Sequence, residues 1–176
     1  MAELEIHHEI EGPPDPTGQR VGVIAAFIAV LLAVVTIQSH RTHTAAVVLK
    51  AEENDQWSFY QSKRIKLHTL ELGADLLRTM GPANQATTDL LKRYEIEKKK
   101  YDADSEKVQE AAKAKAEETE LTERRALRYD LGEGLLELAL VLCSLYFISR
   151  KKLFPAVGVV AAIVGAAIAA TGPLMH

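Results

Sequence analysis

Residues 131–170 read LGEGLLELALVLCSLYFISRKKLFPAVGVVAAIVGAAIAA, two apolar runs parted only by Ser149, Arg150, Lys151 and Lys152. The second run, 153–170, is 18 residues without a charge, and Pro155 falls in a first turn where its missing N–H costs nothing. The first, 135–148, is 14 residues; carried back to Leu131 it reaches 18 and takes in Glu133 and Glu137. With so short a gap between them, the runs are expected to form an antiparallel transmembrane pair, spans 131–149 and 153–172.

Working towards the N-terminus, a third uncharged run, VGVIAAFIAVLLAVVTI at 21–37, is just long enough to cross a hydrocarbon core of about 30 Å. It is expected to be the first span, 20–37. A cleaved signal peptide would have a basic leader, whereas Glu3, Glu5, Glu9, Glu11 and Asp15 precede this run against Arg20 alone. Prolines at 13, 14 and 16 interrupt that acidic tail, so residues 1–19 are expected to be disordered.

Between the first and second spans lie residues 38–130, with 17 Lys/Arg, 17 Asp/Glu and, as helix breakers, only Gly73, Gly81 and Pro82. Such a composition favours helix. Gly81-Pro82, followed by Asn84 as an N-cap candidate, places a turn at 81–83 between two arms of similar length. The fold class that follows is an all-α membrane protein: three transmembrane helices, with a long coiled-coil-like antiparallel helical hairpin between the first and second. Pairing about Gly81-Pro82 is expected to set Leu70 opposite Tyr94 and Trp57 opposite Val108.

The outgoing arm is the more apolar. Leu67, Leu70, Ala74 and Leu77 make one stripe, and Ile65, Leu72 and Leu76 make another. The returning arm keeps Tyr94, Tyr101 and Val108 at heptad spacing but has few large apolar residues beyond them. One poor arm cannot cover two stripes, so the chain is expected to be a homo-oligomer with Trp57, Tyr60, Ile65, Leu67, Leu72 and Leu76 at its interface.

The single cysteine, Cys143, excludes a disulfide framework and is expected to be inert packing, and a net charge of −3 gives no basic face for nucleic acid. The run Lys98, Lys99 and Lys100 is flanked by Glu95, Glu97, Asp102 and Asp104, as on a solvated helix face. His40 with His43, or His68 with Glu71 and Asp75, are weak candidates for a metal site. Interfacial histidines and a salt-bridged helix face explain them more simply, so no metal and no cofactor is expected. Glu133 and Glu137 are intramembrane polar residues that need a partner. Gly158, Ala162, Ala166 and Ala170, four apart, with Gly165, Ala169 and Gly172 beside them, suggest close packing of the last span.

No nucleophile triad, phosphate loop or dinucleotide fingerprint is present, so the chain reads as no enzyme. The expected function is a non-enzymatic oligomeric scaffold or accessory subunit of a membrane complex. The alternative is a small channel or transporter component with Glu137 in its path. Lipid, further copies of the chain and a larger membrane complex are the expected partners. Arg150, Lys151 and Lys152 in the shortest loop place that loop in the cytoplasm and the hairpin outside it.

The segments NDQWSFYQSKRIKLHTLELGADLL (54–77) and RYDLGEGLLELALVLCSLYFISRKKLF (128–154), with SHRTHT at 39–44, resemble the bacterial membrane-protein family known as domain of unknown function 4337. That resemblance implies a bacterial inner-membrane protein with a three-span layout. It carries over no catalytic or ligand residue.

Overall fold

The structure is a computed structural model that describes residues 15–174. Its elements are α1 (Pro16–Met80), α2 (Gln85–Ser149), α3 (Leu153–Thr171) and a closing single turn of 3-10 helix, Gly172–Leu174; among the described residues there is no strand. All three α-helices contain a stretch long and apolar enough to cross a membrane.

Local chemistry sets the ends. The Asp15 carboxylate accepts hydrogen bonds from the Thr17 and Gly18 amides at 3.1 and 2.9 Å, and Pro16 takes the first helical position. Helix therefore starts at Pro16, ahead of the expected boundary at Arg20, because Asp15 caps it; the rest of the tail expected to be disordered, 1–14, lies outside the described residues. At the far end Gly81 closes α1 through its amide to the Leu77 carbonyl at 3.0 Å, and a Cβ on Gly81 would run into that carbonyl. Asn84 then caps α2, its side-chain oxygen accepting from the Thr87 amide at 2.9 Å.

The described residues divide into two compact units, one formed by the chain before Ser39 with Arg128–Leu174, the other by Ser39–Leu127. In the first, Val21, Ile28 and Val35 of α1 join Leu136, Ala139, Cys143 and Tyr146 of α2 and Ala162 and Ala169 of α3 in one buried cluster. Small residues bring α2 and α3 together. Cβ atoms on Gly132, Gly158 and Gly165 would lie 2.8, 2.9 and 2.9 Å from the carbonyls of Gly165, Ala139 and Gly132. The buried small residues are Gly158, Ala162, Gly165 and Ala169 of α3 and Gly172 of the 3-10 turn, spaced four and three apart, whereas Ala170 is exposed. The expected row at every fourth residue drifts off the contact because 3.6 residues make a turn, and the small residues expected beside it, Gly165, Ala169 and Gly172, carry the contact on.

In the second unit burial follows a seven-residue period. On α1 the buried positions are Ser39, Ala46, Glu53, Leu67 and Ala74, with half-buried Tyr60 completing the series. On α2 they are Ser105, Ala112, Thr119 and Ala126, joined by Thr122. Small side chains fill this seam, and its hydroxyls bond back to their own helix: Ser105 to the Asp102 carbonyl, Thr119 to Lys115 and Thr122 to Glu118, at 2.8, 2.8 and 2.9 Å.

Cross-helix ion pairs set the register where apolar packing is thin. Glu52 meets Lys115 at 2.8 Å, Lys63 meets Asp104 at 3.0 Å, Arg64 meets Asp102 at 3.4 Å and Arg78 meets Glu95 at 2.9 Å, so residue numbers on α2 fall as those on α1 rise. The Tyr94 ring lies against Gly73, where a Cβ would be 3.0 Å from it, one turn beyond the expected partner Leu70. Gly81, Pro82, Ala83 and the cap Asn84 stand between the two helices.

Candidate functional site

The two acidic residues expected at membrane depth differ in surroundings. Glu133 is half-buried, and its Oε1 accepts a hydrogen bond from the Thr36 hydroxyl at 2.7 Å, a link between α1 and α2. Glu137, one turn on, is exposed on the side of α2 away from the buried cluster and meets no hydrogen-bonding or ion-pair partner among the described residues. Its outward neighbours are Gly134, Val141 and Ser144, all exposed; the Ser144 hydroxyl is turned back to the Val141 carbonyl at 2.7 Å. Gly134 differs from the three glycines packed between α2 and α3, since a Cβ there would meet nothing within 4 Å.

At the other end of this unit, Asp15 gathers three elements. Besides capping α1, its carboxylate forms an ion pair with Arg150 in the turn between α2 and α3 and accepts from the Tyr146 hydroxyl at 3.3 Å. The Gly18 amide chiefly holds the Asp15 carboxyl below the usual carboxylate range, against a smaller opposing effect of desolvation and with help from the Arg150 charge. Arg150 has φ 55°, the left-handed conformation that glycine usually takes after a helix. Sequence reasoning placed the basic turn but missed this cluster, because Asp15 lies 135 residues from Arg150 along the chain.

In the Ser39–Leu127 unit the six expected interface residues separate. Leu67 is buried within the chain's own seam, Tyr60 is half-buried on it, and Trp57 packs edge-on against Tyr60 with ring centroids 5.8 Å apart. Leu67 is thereby removed from any surface a second chain could reach. Ile65, Leu72 and Leu76 stand on the opposite side of α1, 66%, 63% and 50% exposed, and Met80 extends their line. The two stripes read from the sequence are thus an inner one at Leu67, Leu70, Ala74 and Leu77 and an outer one that the chain leaves uncovered.

The charged faces of this unit form ordinary ion pairs. Lys115 is shared between Glu52 and Glu118, bonds that raise its pKa in that order, and the Lys63 ammonium holds Asp104 low. Lys63 and Lys66 both lie over the Tyr101 ring, at 5.5 and 5.7 Å from its centroid. His40 and His43 are exposed, and His68 Nδ1 lies 2.9 Å from Glu71. Among the described residues, no three His, Cys, Asp or Glu side chains are grouped so as to hold a metal ion.

No curated protein and no solved structure matches the chain. A family model, described as a domain of unknown function and designated DUF4337, matches residues 17–175, which takes in α2, α3 and all of α1 but its first residue. The chain therefore belongs to the DUF4337 family.

Proposed function

We propose that this protein is a non-enzymatic, self-associating membrane scaffold. Its three apolar segments anchor it in a lipid bilayer, and Ser39–Leu127 forms an antiparallel, coiled-coil-like hairpin that joins copies of the chain into one assembly or into a larger membrane complex. The observation that carries this reading is the outer stripe Ile65, Leu72 and Leu76: large apolar side chains more than half or about half exposed beside an inner seam that is already filled. Water does not tolerate such a stripe without cost, and burial against another copy gains about 25 cal/mol for each Å² of apolar surface covered. The basic turn at Arg150, Lys151 and Lys152 supports a bacterial inner-membrane orientation with that turn in the cytoplasm and the hairpin outside.

The mass of the detergent-solubilised chain, measured by light scattering, tests the reading. The native chain should exceed the mass of a monomer, and the triple change Ile65→Ser, Leu72→Ser, Leu76→Ser should reduce it while helicity is retained. A monomeric native chain overturns the proposal.

A further inference from the structure

Glu137 is an ionisable side chain carried outward on an apolar helix, and the chain supplies no partner for it among the described residues. It lies about 18 Å from the Ser149 end of α2 and about 6 Å beyond Glu133, which is level with Thr36. In a bilayer a carboxyl at that depth needs hydrogen bonds that lipid does not provide.

The face around it is shaped for a helix. Gly134, Glu137, Val141 and Ser144 recur three and four residues apart on the exposed side of α2. Gly134 leaves its space unfilled, so a neighbouring backbone could approach closely there; the glycines that serve contacts within the chain are already filled by α2 or α3. The hydroxyls of the spans are satisfied within the chain: Thr36 donates to Glu133, Ser144 to the Val141 carbonyl, Tyr146 to Asp15, Ser149 to the Leu145 carbonyl and Thr171 to the Ile168 carbonyl at 2.6 Å.

We infer that this face is an intramembrane contact between two copies of the chain, in which Glu137 hydrogen-bonds to Glu137 of the second copy. Copies inserted with one orientation are related by an axis along the membrane normal, so α2 meets α2 in parallel and each residue meets its equivalent at the same depth. A carboxyl is complementary to another carboxyl, since its O–H form donates and its oxygens accept. Two such groups satisfy each other with no third chain, ion or water, and Gly134 one turn away lets the helices come close enough. The inference rests on the membrane setting and self-association proposed above but uses a different surface from the outer stripe of α1.

The test is disulfide crosslinking in native membrane vesicles, in a Cys143→Ala background, with single cysteines at Gly134, at Val141 and, as a control, at exposed Ile163 of α3. Crosslinked dimers are expected for Gly134→Cys and Val141→Cys but not Ile163→Cys, and they should persist when the vesicles are diluted with added lipid. In the Val141→Cys chain, Glu137→Leu should lower the yield about three- to tenfold, as loss of an intramembrane hydrogen bond predicts, whereas Glu137→Gln should retain it because amides also pair. Absence of crosslinks at 134 and 141, crosslinks equally strong at 163, or a Glu137→Leu variant that crosslinks like its parent overturns the inference. If the intact chain remains larger than a monomer in those cases, the scaffold reading stands while this contact falls; a monomeric chain removes both.

Discussion

The Thr36 hydroxyl donates to Glu133 Oε1 at 2.7 Å, which ties α1 to α2 near the end of the apolar stretch of each. A carboxylate in that setting is costly without donors, and this one is held by a residue 97 positions away. Thr36→Val keeps the side-chain shape and removes the donor. It should destabilise the packing of α1 on α2 by about 0.5–2 kcal/mol, the range found for hydrogen bonds between apolar helices. Thermal unfolding in detergent measures it, and Glu133→Leu combined with Thr36→Val should recover much of the loss, since replacing both partners leaves no orphan.

At the opposite end of the same unit, Asp15 predicts a dependence on acid. Its carboxyl is held low, first by the Gly18 amide and then, against desolvation, by Arg150 and Tyr146. A carboxyl with a depressed pKa binds its proton less readily folded than unfolded, so its contribution is full above the ordinary aspartate range. It is lost as pH falls through the depressed value. The detergent-solubilised chain should therefore lose thermal stability on the acid side of about pH 4, and Asp15→Asn should flatten that part of the profile. An unchanged acid limb would detach Asp15 from the fold's stability.

The glycines between α2 and α3 give a steric prediction. A Cβ on Gly165 would stand 2.8 Å from the Leu135 Cβ and 2.9 Å from the Gly132 carbonyl, and backbone cannot yield as a flexible side chain does. Gly165→Ala should cost about 1–3 kcal/mol, while Gly134→Ala, whose Cβ meets nothing within its own chain, should leave monomer stability nearly unchanged. Unfolding of both variants under conditions that keep the chain monomeric makes the comparison.

Periodicity and charge made much of this architecture readable. The helical breaks at Gly81-Pro82 and at Ser149 to Lys152 follow from residues that cannot continue a helix or that suit a polar turn, and the structure ends α1 and α2 there. The inner seam was half legible. Leu67, Leu70 and Leu77 announce themselves by size, but Ser105, Ala112, Thr119 and Ala126 look like solvated helix in a sequence read for large apolar residues. Their burial becomes visible only through the seven-residue period they share. The register was missed by a turn because it is fixed by ion pairs such as Lys63 with Asp104, whose choice among many nearby charges sequence alone leaves open. The candidate site divides similarly: Glu137 stands out as a charge in an apolar run, whereas the Thr36 partner of Glu133 and the joining of Asp15 to Arg150 depend on helices distant in sequence.

Glu137 also separates a scaffold from a conduction path. A path for ions needs polar groups at successive depths. Along the exposed side of α2 the only other side-chain polar atom at 134, 137, 141 and 144 is the Ser144 hydroxyl, which is turned onto its own helix. The Glu133 carboxyl is bonded to Thr36. The purified chain in liposomes should therefore show no ion or proton flux above the lipid background, and Glu137→Gln should leave both that background and the mass of the assembly unchanged. The amide keeps a donor and an acceptor at the same place and is cheaper to desolvate than an ionised carboxyl, so assembly has no need of the titratable group. Flux through the native chain that disappears in Glu137→Gln would reverse the assignment, making the carboxyl a relay along a pathway and the scaffold a transporter component.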